Sequence, residues 1–258
     1  MAISSLEAPS GPSQKTAIER WSYTGFALAM IAVSIVGFVP SLVSPEKRHA
    51  PLSLLAATHG LLFFAWQILF LTQSLLIATR RVSLHRRLDL TGVFLFIAML
   101  ALGSVTTVSM ARRGFDLSGD LKILPQPTPG FIDPIAGMLF PLTDLTMFAV
   151  LGAAALAFRR RREIHRRLML FASIILVPAP LQHLIGHNPT LAAVQAPIIM
   201  IPIGMFLFAA VARDFLVERR VHPLTWTLAI TMFASGPLRA FVLGPSPAWH
   251  RFAAWLIR

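Results

Sequence analysis

The sequence predicts an all-α integral membrane protein of about seven transmembrane helices, built from repeated helical hairpins and closed by a short C-terminal interfacial helix. Three observations predict it. The 258 residues are 55% hydrophobic and only 13% charged, far more apolar side chain than one water-surrounded core can bury. The apolar residues run in unbroken blocks of about 19 to 28, and ~20 suffice to cross hydrocarbon. The basic residues behind the formal charge of +12 sit in short clusters between those blocks. With no soluble domain to present them, they read as orientation signals and not as a nucleic-acid surface.

Each element follows from this pattern. Residues 1–20 are polar and rich in Ser, Pro and Gly, so they are expected to form a disordered tail without a cleavable signal. A membrane domain over 21–243 is then predicted from spans at Ser22 to Val43, Leu52 to Thr79, Leu90 to Met110, Ile135 to Phe158, Leu168 to Gly186, Leu191 to Val211 and Pro223 to Leu243. The long segment Ala111 to Pro134, with Pro125, Pro127, Pro129 and Phe131, suits a partly ordered lid. Pro178, Pro180, Pro197 and Pro202 are expected to interrupt the backbone ladders of spans five and six. Residues 244–258 are too short to cross; Trp249, Phe252, Trp255 and Leu256 interleave with His250, Arg251 and Arg258, as in a helix lying in the interface.

Orientation follows from arginine placement. The turns after spans two, four and six hold Arg80, Arg81, Arg86 and Arg87, then Arg159 to Arg162 with Arg166 and Arg167, then Arg213, Arg219 and Arg220. With Lys15 and Arg20 these are 15 of the 23 basic residues, and the positive-inside rule predicts a cytoplasmic N-terminus and an external C-terminus. The turns also repeat: Arg80-Arg-Val-Ser-Leu-His85-Arg-Arg-Leu88 aligns with Arg160-Arg-Arg-Glu-Ile-His165-Arg-Arg-Leu168, and Glu218-Arg-Arg-Val-His222-Pro-Leu224 is a weaker third copy. Three hairpins, each opening its second helix with a histidine, are implied.

Polar groups inside hydrocarbon need a reason, because each is expensive unless satisfied. His59, Asp144, His183 and Arg239 fall in one outer layer of the predicted bundle. The absence of cysteine excludes thiolate metal sites, iron–sulfur clusters and thioether-linked haem. Two cofactor arrangements remain. His59, His183 and His187 with Asp144 form a zinc-like donor set, since His183 and His187 are four apart and share a face of a continuous helix. Alternatively, His85 facing His165 and His59 facing His183 are axial ligands for haem b, with Arg239 beside the outer group. On an unbroken helix the 18 residues from His165 to His183 are five turns, roughly 27 Å along one face.

The plainer alternatives are structural. His85, His165 and His222 beside arginines suit contact with lipid phosphate, and Asp144 and Arg239 suit mutual neutralisation. The stretch from His59 through Trp66, Gln73 and Arg80 to His85-Arg-Arg-Leu88, with Ile164-His-Arg-Arg-Leu168, Val221-His-Pro223, Gly236-Pro-Leu-Arg239 and Ala248-Trp249, resembles bacterial multi-span membrane proteins with repeated His-Arg-Arg-Leu segments. That resemblance implies no particular reaction. The histidines on several helices look, more distantly, like those of di-haem b-type cytochromes, which implies electron transfer and a redox partner. The outer group is also similar to that of seven-helix membrane zinc hydrolases, which implies metal-bound water with Asp144 as catalytic base, although here the paired histidines fall on the fifth span and not the last. A third expectation is a cofactor-free subunit of a membrane complex, in contact only with lipid and its neighbours.

Overall fold

The structure, a computed structural model, describes residues 14–43, 52–112, 137–186 and 195–258. The described residues contain helices and no strand. They are α1 (Gln14–Val43), α2 (Leu54–Ala78), α3 (Val82–Arg87), α4 (Asp89–Arg112), α5 (Leu139–Ala157), α6 (Arg162–Ile174), α7 (Pro178–Gly186), α8 (Gln195–Glu218), α9 (Pro223–Leu238) and α10 (Pro247–Leu256). A π-helical turn, Arg239–Leu243, extends α9. Among the described residues seven segments are long and apolar enough to cross a membrane: Ala17–Pro40, Leu54–Ala78, Asp89–Arg112, Leu139–Ala157, Arg162–Ile185, Pro197–Glu218 and Pro223–Leu243. The chain is therefore an all-α, multi-pass membrane protein, as its apolar blocks require.

Three boundaries differ from the sequence expectation. α1 begins at Gln14, so residues 14–20 are helical and not part of the tail; Arg20 Nε donates to the Ala78 carbonyl, tying the second turn of α1 to the end of α2. The fifth span starts at Arg162 and the sixth runs to Glu218, each reaching six or seven residues further toward the basic turns. The lid expected between Ala111 and Pro134 lies almost wholly outside the described residues.

The fifth span is the axis of the bundle. In its apolar window 61% of residues are buried, against 17–33% in the other six, so it touches protein where they touch lipid. Packed neighbours run α1, α2, α4, α5, the π turn and α9, then α8 and back to α1, while α6 meets α5, α9 and α1. A dense aromatic centre joins this ring to the axis: Trp66 and Phe96 each pack on Phe148 (5.0 and 5.2 Å between centroids), and Trp66 Nε1 donates to Ser173 Oγ of α6 (3.2 Å).

The prolines divide in their effect. The fifth span breaks at 175–177, just before Pro178, and the Ile174 carbonyl that Pro178 has no N–H to serve accepts instead from Val177 N (3.0 Å). α8 continues unbroken across Pro202. The break ends the shared face assumed for His165 and His183, because α6 stops at Ile174 and α7 starts afresh at Pro178.

α7 is held close to α1 at Gly37, where an added Cβ would lie 2.3 Å from the Pro180 carbonyl oxygen and 2.7 Å from its carbon. Backbone cannot yield as a side chain does. Gly37→Ala is expected to destabilise the fold by about 1–3 kcal/mol, while Gly25→Ala, with nothing within 4 Å, leaves it unchanged; thermal unfolding of the two variants in detergent reads the difference.

Candidate functional site

The three basic turns bring the repeated segments to one face. In the first, Arg80 adopts the left-handed conformation (φ 62°), with Arg80 N donating to Ile77 O and Arg81 N to Leu76 O (3.0 and 2.7 Å), the pair of hydrogen bonds that closes a helix at a position usually given to glycine. Arg219 (φ 58°) occupies the corresponding corner of the third. The helix that follows each of the first two corners opens so that His85 and His165 are both its fourth residue.

These two histidines are near neighbours in charge. Burial, above all, holds the His85 imidazole below the ordinary histidine pKa; Asp89 opposes this, while His165 and Arg86 add to it. His85 Nδ1 is buried with no hydrogen-bond partner, and its Nε2 stands 4.0 Å from Asp89 Oδ1. His165 Nδ1 lies 2.8 Å from the Ala155 carbonyl oxygen. A carbonyl only accepts, so in the neutral ring the proton sits on Nδ1 and Nε2 keeps its lone pair. His222 differs: its Nδ1 accepts from Leu224 N (3.1 Å) and caps α9, so the third copy is structural.

Beside them lies a buried ion network that hydropathy hides. Arg167 and Asp214 are each 1% exposed. Arg167 Nε and Nη2 grip Asp214 Oδ2 and Oδ1 (3.1 and 3.0 Å), and its Nη1 donates to the Glu163 carbonyl and Oε2 (2.9 and 2.7 Å). Asp214 also accepts from Thr225 Oγ1 (2.6 Å), Arg213 Nη1 (2.9 Å) and His222 N (3.3 Å). Glu218 Oε1 receives Arg166 (3.1 Å), Arg213 (3.0 Å) and Arg167. α6, α8 and α9 are thus joined by charge-assisted hydrogen bonds in a dry site. The sequence places Arg167 and Arg213 in the basic turns, Glu218 only at the start of the third repeat copy, and gives Asp214 no role. The available signal was the four-residue spacing of Asp214 and Glu218, which places both on one helix face.

On the opposite face Asp144 and Arg239 do meet, in a salt bridge. Arg239 also donates to Thr143 Oγ1 (2.8 Å) and lies over the Phe140 ring (4.9 Å). His59 stacks on Phe63 (4.1 Å) with its Nδ1 buried and partnerless, and His183 packs against Phe38 of α1 (5.0 Å). Among the described residues no three His, Asp or Glu side chains form a group able to hold a metal ion, so His59, His183 and Asp144 are no three-donor set. His187, the fourth expected ligand, lies outside the described residues.

Position in the repeat does not decide energetic weight. Arg87 aligns with Arg167, yet it is exposed. Arg167→Ala, which takes the two-pronged partner from the buried Asp214 carboxylate, is expected to lower stability by about 3 kcal/mol, whereas Arg87→Ala stays within about 0.5 kcal/mol; denaturant titration in mixed micelles distinguishes them.

No family model, no curated protein and no solved structure matches this chain, so the reading of its site rests on its own residues.

Proposed function

We propose that this chain is a haem b-binding electron-transfer protein of the membrane, with His85 and His165 as axial ligands at the basic-turn face. The observation that carries the reading is the juxtaposition itself: two half-buried imidazoles at equivalent repeat positions, His165 close enough to disfavour the proton on His85, one with Nε2 left as a lone pair and the other with an orphaned buried nitrogen. Two protein donors suit haem, whose porphyrin supplies the other four nitrogens. Zinc requires three or four protein donors, and no such group occurs among the described residues. Arg80, Arg81, Arg86 and Arg87 stand beside His85 in sequence and offer cations for the two propionates. Haem, when bound, supplies one-electron chemistry; the protein's part is to present neutral imidazoles and exclude lipid from them. His59 and His183, each packed on an aromatic ring, have no ligand role in this reading.

A second reading, the cofactor-free subunit of a membrane complex, is favoured by the pairing of Asp144 with Arg239 and of Arg167 with Asp214. Charges already neutralised within the protein call for no substrate or cofactor.

Absorption spectra of protein purified from haem-supplied cells, oxidised and then reduced, with elemental iron, choose between the two. A Soret band lost in His85→Ala and His165→Ala but kept in His59→Ala supports haem; colourless, iron-free protein sinks that reading and leaves the structural one. The pH response has a defined sign. The folded His85 ring binds its proton less readily than free histidine, so protonation of His85 removes the band only below ~pH 6.5, where an ordinary histidine is half charged.

The same reading places the basic turns in the cytoplasm. Reporter fusions after Arg87, Arg166 and Arg219 are expected to report a cytoplasmic location, and an external result at two of the three would reverse the topology.

A further inference from the structure

The arginines of the ion network are not equally satisfied, and this difference defines a second site. Each N–H group of Arg167 has an acceptor in Asp214, Glu163 or Glu218. Arg213 is only 4% exposed, yet just its Nη1 is engaged, by Asp214 and Glu218. Its Nε and Nη2 are buried with no partner, and so is Nε of Arg166. A charged donor edge without an acceptor in a dry site is among the costliest polar arrangements a fold can hold.

The two unsatisfied groups are adjacent. Arg166 and Arg213 both donate to Glu218 Oε1, at 3.1 and 3.0 Å. Both guanidinium carbons also lie over the ring of Tyr23 on α1, at 5.7 and 5.4 Å from its centroid. The Nε/Nη2 edge of a guanidinium presents two parallel N–H bonds, the geometry that matches two oxygens of one tetrahedral or planar oxyanion. Arg166 is partly exposed, with 26% of its side chain accessible, although its Nε is itself buried.

We propose that a phosphate group binds at the partnerless Nε/Nη2 edge of Arg213 and the partnerless Nε of Arg166, beside Tyr23. The three arginines of the network face three carboxylates, Glu163, Asp214 and Glu218, so the unused donors carry no excess negative charge of the protein's own. Arg159 to Arg162, Arg219 and Arg220 in the adjoining turns add positive potential that draws an anion inward. The site lies at the ends of spans five and six, the level where headgroup phosphates concentrate in a bilayer. A phospholipid headgroup and free inorganic phosphate share the required chemistry, and the site does not depend on the haem reading.

The test uses the full chain. Native mass spectrometry of protein extracted in mild detergent measures retained phospholipid, and titration with phosphatidylglycerol gives the concentration for half occupancy. In parallel, delipidated protein is heated with inorganic phosphate or with chloride at equal ionic strength. One retained phospholipid, with occupancy weakened roughly ten-fold in Arg213→Lys and Arg166→Lys, assigns the site to lipid; these variants keep the charge and lose the fork. No retained lipid but a phosphate-specific rise in unfolding temperature, absent in the same variants, assigns it to free phosphate. Lipid and phosphate responses that are missing in the unmodified chain, or that both variants leave unchanged, overturn the proposal. Circular dichroism checks folding, and if Arg213→Lys does not fold, the more exposed Arg166→Lys decides alone.

Discussion

An arginine that is 1% exposed in a membrane protein is tolerable only if its charge and all its N–H groups find partners at once, and Arg167 meets that demand. Its fork closes on Asp214 of α8, its other amino group on Glu163 one turn back, and Thr225 of α9 completes the ring. These bonds fix where α8 and α9 stand around α6. Burial of that helix, greater than that of any other span, follows from neighbours that cannot drift away. Replacing such a network by apolar side chains can leave a fold equally stable, whereas breaking it from one side cannot; its contribution is therefore to the particular arrangement of helices.

The two ends of the bundle use charge in different ways. At the basic turns many charges share acceptors, and Glu218 alone receives three arginines. At the opposite end one pair, Asp144 with Arg239, ties α5 to the π-helical turn after α9. A π turn widens the backbone and redirects the side chain it carries, and here that side chain is the arginine. Between the two ends the contacts are mainly apolar: the Trp66, Phe96 and Phe148 rings, and glycines such as Gly152, where an added Cβ would fall 2.3 Å from the Phe96 ring. Small residues permit this close approach where no hydrophobic force drives helices together.

The repeat shows how one local motif acquires different roles. His85, His165 and His222 all open a helix after an arginine turn. The first two lie within electrostatic reach of each other, while the third is consumed in capping α9. Arg87 and Arg167 occupy the same repeat position, but the first faces outward and the second anchors the core. Local sequence sets the turn and the helix start, and the neighbour then sets the role. The first copy begins a helix at the edge of the ring, the second begins the axis itself.

Much of the fold was legible in the chain, for a simple physical reason. Crossing hydrocarbon demands ~20 apolar residues with every backbone group bonded internally, so span number and helical class follow from local composition. Pro178 likewise announced the break in the fifth span, because a missing N–H acts at its own position. What local composition could not supply was which charges face one another. Hydropathy ended the sixth span at Val211 because it counts Arg213 and Asp214 as exposed to lipid; the helix runs on to Glu218 because those charges meet Arg167 from another span instead. The pairing of Asp144 with Arg239, 95 residues apart, was one of several options in the sequence and became a contact only through packing. Sequence alone determined how often this chain crosses the membrane, since that depends on each segment's own transfer from water. Tertiary structure decided which polar groups are satisfied and which remain open, since that depends on partners the chain brings from far away.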